Sequence, residues 1–296
     1  MSLHLPASVR QRLLNLAKKE RLPYNRLQLL YLQERWLARL SKTPHKNHFV
    51  LKGALFLYSR YGTASRPTRD IDFLGRATPA EVAHLVHVAR EIAGVDLDDA
   101  VTFDPDSIAG AENQAATEYG GVRLEVKGYL VRARELIRMD VGFGDAVTPA
   151  PVELAYPTLL GHEPPKILAY SFETVVAEKV HAMTVLYEVN SRFKDFYDVY
   201  HLALTEPFEA PVLREALLRT FEQRRTPVDD ISRLFSLSFT RDAERQRQWQ
   251  VFLDRVQTGE EPTFEDVLGL IQAFLEPVIQ ETAGGVWHPL ERTWMT

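Results

Sequence analysis

The sequence of 296 residues contains no cysteine, which excludes a disulfide framework and a thiolate metal site. No apolar run approaches the roughly 18 residues that a membrane-spanning helix needs, so we do not expect the chain to cross a bilayer. The amino terminus, Met1–Pro6, lacks a basic stretch followed by an apolar core, and we do not expect a secretory signal. Internal repeats and low-complexity tracts are also missing. These absences favour a cytoplasmic globular protein.

A dominant charge of one sign is missing too. The net charge is −5, with 35 basic and 40 acidic residues, so any contact with nucleic acid must come from local basic patches. The composition is 45% hydrophobic and 25% charged, as in ordinary soluble globular proteins. The length allows one large domain or two ordinary ones.

Two aspartates separated by one isoleucine form the most informative stretch, Asp70-Ile71-Asp72-Phe73. Apolar residues alternate with acidic ones at a period of two, which predicts a β-strand. On a strand both carboxylates point to one face, about 7 Å apart, while Ile71 and Phe73 can be buried on the other. Such a pair suits Mg²⁺, which takes one or two carboxylates and completes its coordination with water and phosphate. The alternative for so short a motif is an edge strand with its polar side chains in solvent.

A turn of small residues precedes this strand. A short apolar run leads to Lys52, Gly53 and Ala54, after which the pattern becomes that of an apolar helix. Backbone N–H groups at such a turn and helix start can hold a phosphate group. Close packing of the helix explains the small residues equally well. The loop Thr63–Arg69 then brings Arg66 next to this proposed phosphate region.

Two further alternating stretches, 121–130 and 137–143, predict strands. In the second stretch Asp140 lies on the face opposite the apolar residues, with Gly142 leaving room beside it. If this strand is a neighbour of the Asp70–Asp72 strand, Asp140 can be a third metal carboxylate. An exposed strand aspartate is the alternative. The acidic segment 94–121 is predicted to be irregular or edge structure.

The stretch Ser171–Tyr187 has the pattern of an amphipathic helix, and a lysine falls within its apolar face. Lys179 lies four residues after Val175 and four before Met183, which is unusual for lysine. Its ammonium either extends out to solvent or faces a cleft that holds an anion. We favour the cleft, because a buried ammonium needs a partner. His181 lies nearer the polar side and receives no role.

A second helical pattern follows, with Asp195 and Asp198 side by side at the border of its apolar face. Asp195 is near the predicted start of this helix. A carboxylate at that position can simply cap the helix or oppose its macrodipole, so a purely structural role remains open.

Helices are predicted at both ends of the chain. Two helices within 4–41 carry many basic residues, including Arg35 and Arg39, which form either a solvated face or, less favoured, a polyanion-binding surface. The tail Gly284–Thr296 is predicted to be a loosely attached coil. The carboxyl-terminal part is predicted to contain helices at about 211–224, 240–257 and 263–281. Interspersed arginines make this part a possible RNA-facing surface, with a plain solvated surface favoured.

These motifs together resemble one protein family. The motifs, in order, are Phe-Val-Leu-Lys-Gly-Ala (49–54), Arg-x-Thr-x-Asp-Ile-Asp-Phe (66–73), Arg-Met-Asp (138–140), Ala-Glu-Lys-x-His-Ala (177–182) and Arg-x-Lys-Asp-Phe-Tyr-Asp (192–198). The set resembles the AbiEii/AbiGii-type nucleotidyltransferase toxins, which include the MenT enzymes, over roughly residues 48–205. The resemblance implies an α+β fold: a DNA-polymerase-β-like nucleotidyltransferase core with a mixed sheet, preceded by helices and followed by a helical domain. Proline-rich connections between 149 and 165 suggest a division into 1–165 and 166–296.

The resemblance also implies the function. Members are the toxin half of toxin–antitoxin pairs linked to phage defence, and some transfer a nucleotide from an NTP to the 3′ acceptor end of tRNA and so stop translation. The expected partners are an NTP, tRNA or another RNA, and an antitoxin encoded nearby. The expected cofactor is Mg²⁺ or Mn²⁺.

The residue roles that the resemblance implies follow from its motifs. Asp70, Asp72, Lys179 and Asp195 would be catalytic; Asp70 and Asp72, with Asp140 as the third carboxylate of the wider superfamily, would hold metal. Nucleotide binding would fall to Lys52, Gly53, Ala54, Arg66 and Lys179. Two details depart from the family pattern. Ala54 stands where a second glycine or a serine is more common, and Asp195 and Asp198 compete for one assignment.

Two alternatives stay open on the sequence. The acceptor could be a protein side chain instead of RNA. The chain could also be catalytically silent and sequester a partner, although the intact carboxylate pair argues against silence, because nothing structural requires it.

Overall fold

The structure is a computed structural model of the chain. It describes residues 5–62, 65–113, 120–131, 133–186, 192–256 and 262–295. Thr63, in the predicted loop before Asp70, and Tyr187, at the end of the predicted lysine-bearing helix, lie outside the described residues. No helix in these ranges combines the length and apolar character needed to span a membrane.

The chain divides into two compact units. The first comprises Met1–Gly144 and Val152–Ala169, and the second comprises Asp145–Pro151 and Tyr170–Thr296. The sequence-based division lay between residues 165 and 166. In the structure, the chain contributes a short segment to the second unit before it returns to complete the first.

The described part of the first unit contains four α-helices and seven strands. Its helices are α1 (Leu5–Glu20), α2 (Tyr24–Leu40), α3 (Gly53–Tyr61) and α4 (Val82–Ala93). Its strands are β1 (Phe49–Lys52), β2 (Asp70–Gly75), β3 (Val101–Glu112), β4 (Gly121–Leu130), β5 (Ala133–Gly142), β6 (Val152–Ala155) and β7 (Lys166–Ala169). The break between α1 and α2 falls at Pro23, which precedes the first residue of α2.

Within the described residues, seven strands form one mixed sheet in the order β3-β4-β5-β2-β1-β7-β6. The β2–β5 and β1–β7 pairs are parallel, and the other neighbouring pairs are antiparallel. The prediction of an α+β fold with a mixed sheet is therefore confirmed. The proline-rich stretch is more than a linker, because β6 lies within it and forms one edge of the sheet.

The two faces of the central strands differ in polarity, as the alternation predicts. Ile71 and Phe73 of β2 are fully buried, as are Met139 and Val141 of β5. Each such side chain stabilises the fold by roughly 1.5–3 kcal/mol relative to exposure. The acidic residues between them lie on the opposite face and are only half-buried. Burial of the apolar face therefore fixes which way the carboxylates point.

The segment predicted as irregular or edge structure contains the edge strand β3. Its pairing with β4 shifts register between Asp104 and Ala109, and Pro105 lies in this bulge. A proline without an N–H is tolerated at such a position. Residues 114–119 of the same segment lie outside the described residues.

The second unit is mainly helical. Its helices are α5 (Phe172–Val185), α6 (Phe193–Thr205), α7 (Ala210–Gln223), α8 (Leu237–Thr240), α9 (Ala243–Val256) and α10 (Phe264–Ile279), with a 3₁₀ segment at Val228–Phe235. The predicted helices at about 211–224, 240–257 and 263–281 correspond to α7, α9 and α10, although the chain turns at Arg241 and Asp242 before α9 begins.

The prediction of a loose tail is wrong. Strands β9 (Val286–His288) and β10 (Thr293–Met295) form a hairpin that joins β8 (Phe208–Glu209) in a small sheet. Trp287 is fully buried and donates a hydrogen bond to the carbonyl of Ala203, 2.7 Å away. Trp294 stacks on Phe274, with ring centroids 5.8 Å apart. Burial of Trp287 and the stacking of the half-buried Trp294 hold the tail in place.

The expectation of a solvated basic face on α2 is wrong at two positions, because Arg35 and Arg39 are 3% and 1% exposed. Arg39 forms a bidentate ion pair with Asp99, with N–O distances of 2.7 and 3.1 Å, and donates to the carbonyl of Val101 at 2.7 Å. This buried pair joins α2 to the start of β3.

We predict that Arg39→Met lowers the free energy of unfolding by about 3 kcal/mol or more, because it leaves the Asp99 carboxylate buried with only Arg35 nearby. Urea unfolding followed by circular dichroism measures the change. The double variant Arg39→Met/Asp99→Asn removes both charges and should recover part of the loss. A single variant within 0.5 kcal/mol of the parent would contradict the prediction.

Candidate functional site

Four charged residues lie in one row across four neighbouring strands of the first unit. Lys52 of β1 is in register with Asp72 of β2, Asp72 with Asp140 of β5, and Asp140 with Arg123 of β4. Side chains at register partners share a face of a sheet. Two carboxylates therefore lie side by side on the polar face, with a cation in register on each outer side.

Asp70 lies two residues before Asp72 and points to the same face. Its register partner is Arg138, which forms an ion pair with Glu125 at 2.9 Å. Both aspartates of β2 are half-buried. The predicted placement of this carboxylate pair on one face of a strand is what the structure shows.

Asp140 is held by residues of its own unit. Arg123 donates to both of its carboxylate oxygens, at 2.8 and 2.7 Å, and the Asn113 side chain donates at 3.1 Å. The hydrogen bond to Asp140 raises the pKa of Arg123 further above its ordinary value. Across the described residues, no group of three or more His, Cys, Asp and Glu side chains is arranged to hold a metal ion. The role of Asp140 as a third metal ligand stays a prediction, and it requires Arg123 and Asn113 to release the carboxylate.

Gly53 allows the Asp72 carboxylate to approach the first turn of α3. Its φ of +69° is in the left-handed region that favours glycine. A Cβ atom at this position would lie 2.1 Å from Oδ2 of Asp72. The next residue, Ala54, is buried. The turn predicted from small residues thus places a carboxylate beside the amino terminus of a helix, where N–H groups favour negative charge.

Two further residues of the first unit that were predicted to bind nucleotide lie before and after this turn in the sequence. Lys52 is the residue before α3 and is half-buried, and Arg66 is half-buried in the connection to β2. The donor set comprises two hard carboxylates with partial access to solvent and a helix start suited to phosphate. It fits a small divalent cation such as Mg²⁺ or Mn²⁺, which binds few protein carboxylates.

In the second unit, Lys179 of α5 is bound between two aspartates of α6. Its Nζ lies 3.1 Å from Oδ1 of Asp195 and 2.5 Å from Oδ2 of Asp198. All three residues are at least 92% buried. Arg192 lies 2.8 Å from the other oxygen of Asp195 and extends the network toward the surface.

This arrangement changes the interpretation of the lysine. Lys179 does not extend to solvent, and the anions that balance its charge are side chains of the same unit. Asp195 lies in the first turn of α6, as the capping alternative supposed, but it also contacts the lysine. Both Asp195 and Asp198 contact the lysine, and which of them fills the role implied by the family resemblance stays a prediction.

A second, partly buried network in this unit was not predicted from the sequence. Arg224 donates to Asp145 at 2.9 Å and lies 3.5 Å from Glu178, the neighbour of Lys179 in the sequence. The Tyr170 hydroxyl lies 3.3 Å from Asp145 and 3.1 Å from Glu178. Burial raises the pKa of Tyr170 well above its ordinary value, which keeps the hydroxyl protonated. These residues are too far apart in the sequence for any spacing rule to connect them.

His181 belongs to the same network, although the sequence gave it no role. Arg224 lies 3.3 Å from Nδ1, and because a guanidinium can only donate, Nδ1 must accept. The proton is then on Nε2, which donates to Oγ1 of Thr226 at 3.0 Å. Burial, followed by the charge of Arg224, lowers the pKa of His181 to about 4. This histidine is neutral at physiological pH.

We predict that Gly53→Ala weakens Mn²⁺ binding by roughly 10-fold or more, because the added methyl group displaces the Asp72 carboxylate. Titration followed by electron paramagnetic resonance of free Mn²⁺ measures the affinity. Gly161→Ala is the matched control, since Gly161 has a φ of +71° and no atom within 4 Å of an added Cβ. Equal Mn²⁺ affinity in the two variants would contradict the prediction.

We predict that His181 makes the chain less stable as the pH falls from about 6.5 to 4. In this range the unfolded state binds a proton on His181, at an ordinary pKa of about 6.5, and the folded state does not. The contribution is about 1–2 kcal/mol, allowing for solvent screening. Urea unfolding at several pH values should show this loss in the parent and in His288→Gln, an exposed control. His181→Gln should lack it, and parallel curves for parent and His181→Gln would exclude the assignment.

Comparisons with known proteins bear on the fold and the family. A crystal structure of a candidate nucleotidyltransferase from Helicobacter pylori is similar, with a TM-score of 0.50, 15% identity, and coverage of 88% of this chain and 97% of that chain. A crystal structure of JHP933 from Helicobacter pylori has a TM-score of 0.49 and 15% identity, covering 87% of this chain and 93% of that one. No curated protein sequence matches the chain.

The family itself is identified by its sequence profile. The profile described as "Nucleotidyl transferase AbiEii toxin, Type IV TA system" matches residues 35–270. This range includes the carboxylates of the first unit and the buried lysine of the second. Since the match extends over most of the sequence, the chain belongs to the AbiEii family of nucleotidyltransferase toxins of type IV toxin–antitoxin systems.

Proposed function

We propose that this toxin transfers the nucleoside monophosphate of an NTP to RNA, with the 3′ acceptor end of tRNA as the favoured target, and so blocks translation. The observation that carries the proposal is the Asp70–Asp72 pair on the polar face of β2, with Asp72 against the start of α3. Apolar packing of the opposite face does not require these carboxylates. The two neighbouring carboxylates repel each other, and a bound cation would offset that repulsion.

The metal in this proposal is Mg²⁺ or Mn²⁺, held by Asp70 and Asp72, with Asp140 as the third ligand once Arg123 releases it. Such a cation, when bound, lowers the pKa of an attacking hydroxyl and stabilises a pyrophosphate leaving group. Phosphate oxygens and water would complete its coordination, which suits a site with only two directly available protein carboxylates.

Residues of the first unit would bind the triphosphate. The N–H groups at the start of α3 can donate hydrogen bonds to phosphate oxygens at the turn formed by Gly53 and Ala54. Lys52 and Arg66 would neutralise phosphate charge, the effect that dominates phosphoryl transfer. In the reaction, the 3′ oxygen of the acceptor forms a bond to the α-phosphorus, the bond to the β-phosphate oxygen breaks, and pyrophosphate leaves. The hydroxyl proton is given up as the new bond forms.

Lys179 is the residue of the second unit that we propose to be essential, with Asp195 and Asp198 as the side chains that position it. A buried ammonium with two carboxylate partners keeps its charge and its location. The family resemblance gives this lysine a part in nucleotide binding. Its ion pairs with Asp195 and Asp198 hold the ammonium group in place.

The proposed partners follow from charge and family. Exposed cations of α1, such as Arg10 and Lys18, form a local patch that could contact RNA despite the net negative charge. Membership of a type IV system implies a cognate antitoxin. We place the reaction in the cytoplasm, where NTP and tRNA occur, and propose that arrest of translation serves defence against phage.

We predict that the purified chain labels tRNA when it is incubated with Mg²⁺ and one of the four α-³²P-labelled NTPs. Asp70→Asn and Asp72→Asn should each lower labelling roughly 100-fold or more, because each removes a metal carboxylate. Lys179→Met should lower it similarly. Gel electrophoresis of the RNA and of the protein measures both possible acceptors.

Asp106→Asn, which changes an exposed carboxylate of β3, is the matched control and should label tRNA like the parent. Asp140→Asn tests the third carboxylate, and labelling near the parent level would exclude it as a ligand. Label in protein instead of RNA would move the acceptor to a side chain. No label in either, from folded parent protein with all four NTPs, would overturn the proposal.

A further inference from the structure

A cavity of about 360 Å³ lies in the first unit, away from the charged row of the sheet. Its wall comes from the carboxyl-terminal half of α2, the connection between α4 and β3, and the residues just before β7. Lining side chains include Arg35, Lys42, Lys46, Asp98, His162 and Lys166. None of Lys52, Gly53, Asp70, Asp72 and Asp140 lines it. The cavity is therefore separate from the residues proposed for nucleotidyl transfer.

Arg35 is a buried cation on this wall with unused hydrogen-bond donors. Its Nε lies 3.3 Å from Glu34 and 3.8 Å from Asp99, distances of ion pairs. Both Nε and Nη2 are buried and make no hydrogen bond. Arg39, one turn later, donates instead to Asp99, to Val101 and to the carbonyl of Arg35. A buried guanidinium that lacks such partners is suited to a ligand that accepts in its place.

The charges around the cavity favour an anion. Four cationic side chains and three carboxylates line it. Among the carboxylates, Asp99 is already bound by Arg39, and Glu163 pairs with Lys42 at 3.3 Å. Lys166 is 3.8 Å from Glu153, which does not line the cavity. Among the lining side chains, positive charges therefore exceed negative charges by one, four against three, with Arg35 as the buried cation and Lys46 as an exposed one.

We propose that this cavity binds the phosphate group of a nucleotide, with Arg35 as the buried donor and Lys46 at the rim. A planar guanidinium can donate to two phosphate oxygens at once. The volume is at the small end of the range of ligand sites, which suits one nucleotide rather than a peptide. The proposal does not depend on nucleotidyl transfer, because none of the residues assigned to that reaction takes part.

The phosphate has two possible sources, a free nucleotide or a nucleotide of bound RNA. The experiment is equilibrium dialysis in EDTA with the Asp70→Asn/Asp72→Asn variant, which lacks the metal carboxylates. The probes are ³²P-labelled AMP and a ³²P-labelled 12-nucleotide RNA. Tight binding of AMP alone assigns the cavity to a free nucleotide, and tight binding of RNA alone assigns it to the polynucleotide.

Substitutions in this background decide whether the cavity is responsible. Arg35→Met should weaken binding of the preferred probe 10-fold or more, and Lys46→Gln about 3-fold. Lys19→Gln, with a side chain 79% exposed on α1, is the control for loss of a surface charge and should leave AMP binding unchanged. Lys46 is exposed, so Lys46→Gln remains informative if Arg35→Met does not fold. Equal binding in the parent and the folded cavity variants, or no binding at 1 mM probe, would overturn the proposal.

Discussion

The polar face of the sheet depends on the register of β2 between β1 and β5. Because side chains alternate along a strand, a shift of one residue would bury Asp70 and Asp72 and expose Ile71 and Phe73. Burial of the apolar residues makes that shift costly. The same packing that stabilises the core thus aligns two carboxylates with cations on neighbouring strands.

The second unit contains a buried charge, the Lys179 ammonium, which must be balanced by nearby groups. An isolated ammonium at the position of Lys179 would be strongly disfavoured, and two aspartates with an outer arginine restore the balance. Arg224 likewise pairs with Asp145 and Glu178, and Glu178 is the residue of α5 that precedes Lys179. Helix α5 therefore carries charges of opposite sign at consecutive positions, the half-buried Glu178 and the buried Lys179, each with partners of its own.

The sequence was informative where local periodicity decides the structure. Alternation predicted β2, β4 and β5 and the face on which Asp70 and Asp72 lie. It could not reveal that Arg123 pairs with Asp140, because that contact depends on strand register. The expectation that the basic residues of α2 face solvent was wrong for a related reason, because burial of a helix face depends on tertiary packing. Every residue from Leu30 to Leu40 is buried, Arg35 and Arg39 among them, although arginine ordinarily indicates a solvent-exposed position.

The path of the chain between the two units has a consequence for synthesis on the ribosome. Strand β7 pairs in parallel with β1, yet it follows residues 145–151, which belong to the other unit. Until residue 169 has been translated, β1 has no neighbour on that side, and its backbone groups form an open edge. A nascent chain that stops before β7 therefore exposes a strand beside the one that carries the carboxylates. Completion of the sheet requires that translation proceed into the second unit's own sequence.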